Sequence, residues 1–218
     1  MRLFLTMITL AIALCSANAA QMSYMAKDFN HLYGMAGFND NLLQIHFKLY
    51  EGYVKNSNDL LVKLRRMVET GQGSSYEFGA LKRRLSWEFD GMRLHELYFG
   101  NLGGNGQPDL SHPLYGAIAA QFGDFNSWKK DFIATGSLRG IGWSVLYLDP
   151  IEGRLVNTWI NEHDVGHLSG GIPILIMDVF EHAYMPQYGL DKAKYIETFF
   201  NNIDWKSVTA RYSEATGT

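Results

Sequence analysis

Cysteine is nearly absent from this chain: the only one, Cys15, lies in an apolar stretch at the N-terminus. The rest of the chain can form no disulfide, and any metal it holds must be bound by nitrogen and oxygen, because no thiolate is available. Long hydrophobic runs are equally scarce. "MRLFLTMITLAIALCSANAA" carries Arg2, an apolar run from Leu3 to about Cys15, then Ala17-Asn18-Ala19. This is the charge, apolar core and A-x-A pattern of a secretory leader. The run falls short of the ~18 apolar residues that a membrane span needs. No second such run follows, so the expectation is an exported protein without a membrane span. Residues 1–19 would be the signal peptide, cut near Ala19 or Ala20, and the product would be periplasmic or secreted. A long basic run is missing too. The chain has 19 Lys and Arg against 22 Asp and Glu, a net −3, and loss of Arg2 with the leader takes it to −4. Nucleic acid is therefore not an expected partner. A small anionic substrate is not excluded, because steering depends on local charge near a cleft.

What remains is an ordinary globular composition: 218 residues, 47% hydrophobic and 14% aromatic. Residues 40–68 carry Leu42, Leu43, Ile45, His46, Leu49, Tyr50 and Tyr53 at helical spacing. "GQGSS" (71–75) breaks the pattern, and 76–99 reads as a second helix. "GNLGGNGQPD" (100–109) is the clearest linker. Beyond it, 113–135 reads as two helices. "GWSVLYLD", "GRLVNTWI" and "GIPILIMDV" read as three short strands, and "DKAKYIETFFNNIDWKSVTARY" as closing helix. The fold class is α+β. A helical hairpin domain (20–104) is followed by a C-terminal domain (105–218) with a small three-stranded antiparallel sheet flanked by helices.

Histidine distribution carries the chemistry. Of the seven, His46 sits on the apolar face of the first helix, His95 among apolar residues late in the second, and His182 four after Asp178. His163 lies in "NEHD" after the second strand. Burying several imidazoles without partners is costly, and a shared metal would satisfy them together. Asp178 and His182 read either as a buried ion pair or as two ligands of such a metal. Three imidazoles and a carboxylate suit iron, manganese or zinc. Zinc would imply hydrolysis or a structural site. Iron or manganese would allow one-electron chemistry. His31, His112 and His167 read as structural.

"MDVFEHAY…YIETFFNNIDW" resembles the C-terminal signature of iron/manganese superoxide dismutases, D-x-W-E-H-A-[FY] followed by Y-I-x-x-F-x-N-x-x-x-W. "LRGIGWSVLYLD" is similar to that family's G-S-G-W-x-W-L strand, "LHELYFGNL" to its H-x-x-[FY]-W segment and "IHFKLYEGYVKNSNDLL" to its first helix. The resemblance spans nearly the whole chain beyond the leader. It implies that His46, His95, Asp178 and His182 hold one iron or manganese per chain, iron being the first choice, with a solvent molecule completing the shell. It implies that Trp143 lines the site and that Tyr53 stands at the mouth of the substrate channel. Glu181 would reach across a homodimer interface to a partner's ligand. Lys48 and Lys192 would draw superoxide inward. His163 falls where manganese-type members place a glutamine that hydrogen-bonds the bound solvent, with His167 as the fallback. Gly91, four before His95, leaves room for that large side chain from the other domain.

The chain also departs from the pattern. Phe180 and Phe99 replace tryptophans, Met185 replaces a tyrosine, and Lys192 stands where arginine is usual. His46 and Tyr53 are seven positions apart where eight is usual. Seven steps keep both on one face of a regular helix, whereas eight require a bulge. The shortening also places Tyr50 where a channel histidine is expected. The implied activity is dismutation of superoxide to O2 and H2O2. The alternative is a catalytically weak exported metal-binding protein of the same fold. A non-haem iron oxygenase is disfavoured, because four protein ligands leave too few open positions.

Overall fold

The computed structural model describes residues 23–217. The expected leader and its cleavage site lie outside them. A single 3-10 turn at Asn30–Leu32 precedes a long helix α1 (Asp40–Glu69). Asn39 caps it by accepting the Leu42 N–H. The helix closes at Thr70, and Gly71, with φ 74°, turns the chain. Ser75 then caps α2 (Tyr76–Phe99) in the same way. No bulge interrupts α1, so His46, Tyr50 and Tyr53 occupy one face of a regular helix.

After the glycine-rich segment, α3 (Pro113–Phe122) starts with proline at its first position. His112 caps it, its Nδ1 accepting the Leu114 N–H while its Nε2 lies 3.2 Å from Ser213 Oγ. That accounts for His112 structurally. Helix α4 (Phe125–Gly136) leads into the sheet. Strands β1 (Gly142–Asp149), β2 (Arg154–Asn161) and β3 (Ile172–Asp178) pair antiparallel in the order β2-β1-β3. Central β1 is buried from Gly142 to Leu148, because helices cover it and neighbours flank it. In the β1–β3 register Trp143 faces Asp178, which brings the start of one strand to the end of another.

Three helices follow: α5 (Glu181–Tyr188), α6 (Lys192–Asn201) and α7 (Trp205–Thr216). The sequence pattern suggested one closing helix where the structure has α6 and α7. The break is tertiary in origin. Asn202 donates its amide to the carbonyls of Ala36 and Thr198, Ile203 bridges to Leu102, and the Asp204 N–H reaches Asn101 O at 2.6 Å. Gly104 permits this approach, since a Cβ there would stand 2.3 Å from Ile203 O. One continuous core of aromatic and aliphatic side chains runs from Phe29 and Leu32 through the sheet to Tyr212. None of the helices among the described residues is long and apolar enough to cross a membrane.

Candidate metal centre

Four elements converge on one point. His46 comes from α1, His95 from α2, Asp178 from the last position of β3, and His182 from the first turn of α5. One ligand atom from each lies within 4.8 Å of all the others. Asp178 organises them. Its Oδ1 accepts the Phe180 N–H at 2.8 Å, which fixes the carboxylate and starts α5. Its Oδ2 then faces the Nε2 atoms of His46 at 3.1 Å, His182 at 3.2 Å and His95 at 3.6 Å. The Asp178 backbone is held in turn: Tyr195 donates to its carbonyl at 2.5 Å, and Tyr195 is itself paired with Tyr98 at 3.0 Å.

His95 tests whether a metal fits. Its Nδ1 lies 2.6 Å from the Gly91 carbonyl, which only accepts, so Nδ1 carries the proton. Neutral His95 then presents a bare lone pair on Nε2, fully buried and without a hydrogen-bond partner among the described residues. An unpaired buried acceptor is costly unless something electropositive sits there. Burial pushes the His95 pKa well down, and it lowers His46 likewise. For Asp178 burial acts upward, but the charge and hydrogen bond of His182, and those of His46, outweigh it and hold the carboxyl far below the usual range. The donor set is therefore three imidazoles and one carboxylate. That set fits a first-row metal ion with nitrogen and oxygen preference.

The next layer is aromatic. Trp143 donates its indole N–H to His163 Nδ1 at 3.1 Å. An indole nitrogen only donates, so Nδ1 must be the bare nitrogen and the His163 proton sits on Nε2. That Nε2 lies 2.7 Å from Tyr53 Oη, and so donates to it. His163 is fully buried, between the edge of Trp87 at 4.9 Å and the face of Phe180 at 4.5 Å. Phe180 also stacks on His182 at 5.0 Å. Burial lowers the His163 pKa to about 4, against a smaller upward pull from Asp178. Burial raises that of Tyr53, helped by the charges of Asp178 and Glu88. Tyr53 thus remains a protonated phenol.

Gly91 serves a different neighbour from the one expected. A Cβ there would lie 2.7 Å from the Tyr53 ring, so the space it leaves is filled by Tyr53 of α1, and His163 meets Tyr53 at its hydroxyl. Tyr50 is buried beside the site. It donates to Glu96 at 3.1 Å and accepts the Lys27 N–H, and Glu96 is also paired with Arg93 and Lys27. His167 lies outside the centre and meets His163 at its backbone carbonyl, not at its ring. His31 is exposed and away from the cluster.

Glu181 is exposed on α5 and its side chain forms no hydrogen bond or ion pair among the described residues, and Met185 one turn on is also exposed. Lys192 donates to Leu138 O at 2.9 Å and lies over Trp159 at 5.7 Å. Burial lowers its pKa, and the Asp178 charge partly restores it. Lys48 is exposed and paired with Glu51 at 2.9 Å. Sequence reasoning passed over Trp87, although its spacing from Gly91 and His95, four and eight residues, marks a single helix face. It also passed over Tyr195 and Asn101, which hold the β3 backbone, and nothing local distinguishes them from other core residues.

Comparison with known proteins agrees with this geometry. Residues 110–211 match the family described as iron/manganese superoxide dismutases, C-terminal domain. The Superoxide dismutase (Fe) of Cupriavidus metallidurans is 34% identical over 184 residues, covering 83% of this chain and 91% of the relative. That of Aquifex aeolicus is 31% identical, covering 87% and 91%. The Superoxide dismutase (Mn) 2 of Haloferax volcanii is 35% identical, covering 78% and 84%. With more than nine-tenths of the first relative covered, four ligand side chains in place and the β1–β3 register joining Trp143 to Asp178, the chain belongs to the iron/manganese superoxide dismutase family.

Proposed function

We propose that the protein dismutates superoxide, two O2•− and two protons giving O2 and H2O2, at one iron or manganese held by His46, His95, Asp178 and His182. The observation that carries this reading is the bare, buried Nε2 of His95 facing three other donors within 4.8 Å. A bound iron or manganese would supply the one-electron change between the +3 and +2 states. Iron is the first choice, in keeping with the names of the first relatives.

The chain's own residues supply the rest. Asp178 contributes one negative charge, which favours the higher oxidation state of whatever ion it faces. Because the Nε2–H of His163 is donated to Tyr53 Oη, the phenol's own proton is directed elsewhere, and the site is where a proton is consumed. Tyr53 and His163 are in this reading the catalytic proton-handling pair, and Trp143 keeps His163 in the required tautomer. Lys192, half-buried and within the field of Asp178, is the stronger steering candidate. Lys48 is partly neutralised by Glu51.

A homodimer is supported by Glu181, an exposed charged side chain beside the ligand His182 with no ion-pair or side-chain hydrogen-bond partner among the described residues. Export rests on the leader-like first residues, and N-terminal sequencing of the purified product would locate the cut. The replacement of two tryptophans by Phe180 and Phe99 keeps the second reading alive, a protein that binds metal without fast turnover. One experiment decides between them: superoxide decay per bound iron or manganese, with His46→Ala as control. Fast decay in the wild type, absent in the variant, supports dismutation. One metal per chain with decay no faster than spontaneous supports the binding protein.

A further inference from the structure

The segment that delivers His163 is an unusual turn. Glu162 adopts φ 54°, a left-handed conformation that a non-glycine residue rarely takes. The turn is pinned on either side by Glu162 N–H to Ile141 O at 3.0 Å and Asn161 N–H to Val165 O at 2.7 Å. Gly166, at φ 109°, then passes close to Trp159, where a Cβ would meet the carbonyl oxygen at 2.6 Å. This path brings His167 back beneath His163. His167 Nε2 lies 2.8 Å from the His163 carbonyl oxygen. A carbonyl only accepts, so Nε2 is protonated and donates. Nδ1 is 2.9 Å from Tyr147 Oη, on central strand β1. The same Nε2 lies 3.5 Å from Asp90 Oδ2 on α2, next to Gly91.

We propose that His167 is a positioning residue: it ties the backbone of His163 to β1 through Tyr147 and to α2 through Asp90, and so holds the His163 ring between Trp143 and Tyr53. A strained turn relaxes unless its surroundings over-determine it. The bonds from Trp143 and to Tyr53 orient the ring of His163, but they hold the ring and not the turn that carries it. His167 reaches neither the ligands nor the substrate. Its effect passes entirely through His163, and the inference rests on the role proposed for that residue.

The test uses full-length metal-loaded protein and two readouts. The first is deuterium uptake at backbone amides, resolved by mass spectrometry. In His167→Ala the peptide spanning 159–168 is expected to exchange at least about tenfold faster, with peptides of β1 and β3 unchanged. The second is superoxide turnover per bound metal, expected to fall about tenfold, the low end for partners lying behind a metal site. His167→Gln offers an amide that both donates and accepts at the end of its chain and is expected to restore both readouts. If His167→Ala fails to fold, Tyr147→Phe, which removes the anchor on the sheet, is read by the same criteria. Unchanged exchange in 159–168, equal acceleration throughout the sheet, or failure of glutamine to rescue overturns the proposal. His163→Ala is measured alongside. If it keeps full turnover, the role of His163 itself is wrong, whatever the exchange data say of the turn.

Discussion

Tyr53 Oη and His163 Nε2 lie 2.7 Å apart, although 110 positions separate them in sequence. One comes from α1 and the other from the turn after β2, so the bond joins the helical hairpin to the sheet. Because Trp143 occupies the other ring nitrogen, the direction of this bond is set: histidine donates and tyrosine accepts.

Removing the acceptor should therefore leave a buried N–H without a partner. Tyr53→Phe is expected to retain one metal per chain and to lose about a hundredfold in turnover, the low end for a positioned proton-transfer group. Full activity in that variant, with normal metal content, would remove Tyr53 from the mechanism. A matching loss in His163→Ala, with the double variant no worse than either single one, would show that the two act as a unit.

The pH dependence of stability should carry the signature of His163. Its folded pKa, about 4, lies below its unfolded value of about 6.5. Between those values the unfolded chain binds a proton that the folded chain refuses, so stability falls as pH drops from about 6.5 to about 4. The loss is bounded at roughly 3 kcal/mol. His46 and His95 act in the same direction in metal-free protein, so the useful quantity is the difference from His163→Gln. Urea titrations of both metal-free proteins at pH 7 and pH 4.5 should show the shallower decline in the variant. Parallel declines would mean that His163 is protonated in the fold.

Gly91→Ala puts a methyl 2.7 Å from the Tyr53 ring. In an exposed helix the change would stabilise by about 1 kcal/mol. Here overpacking of roughly 1–3 kcal/mol should exceed that gain. The expected result is a lowered melting temperature and, because Tyr53 must move, reduced turnover. A raised melting temperature would show that the ring shifts freely.

Lys192→Gln removes a cation that stands near the Asp178 field but is not a ligand. The expected effect is a several-fold lower kcat/KM at low ionic strength and a weaker dependence on salt, with metal content unchanged. The same change at Lys48, already paired with Glu51, should do less. Equal effects at both positions would point to net charge rather than local steering.

Much of the fold was legible because its signals are local. The long periodic stretches became α1 and α2, punctuated at Gly71 and capped by Asn39 and Ser75. The three apolar runs became strands β1 to β3. The break between α6 and α7 was not legible, because Asn202 and Asp204 leave the helix to satisfy partners in segments about 100 or more residues away. Nor was the identity of the residue that fills the space above Gly91. Sequence spacing says which side chains share a helix face, not which distant side chain arrives there.

The sequence by itself determined the donor chemistry. With no cysteine beyond Cys15, histidines on apolar faces and an aspartate ending an apolar strand, a nitrogen and oxygen metal shell was the economical way to bury those groups. Tertiary structure alone decided how the layer around that shell is wired. The tautomer of His163, the direction of its bond to Tyr53 and the clamp from His167 depend on which donor or acceptor meets each nitrogen. Those partners come from different elements, and only the packed core brings them within hydrogen-bond reach.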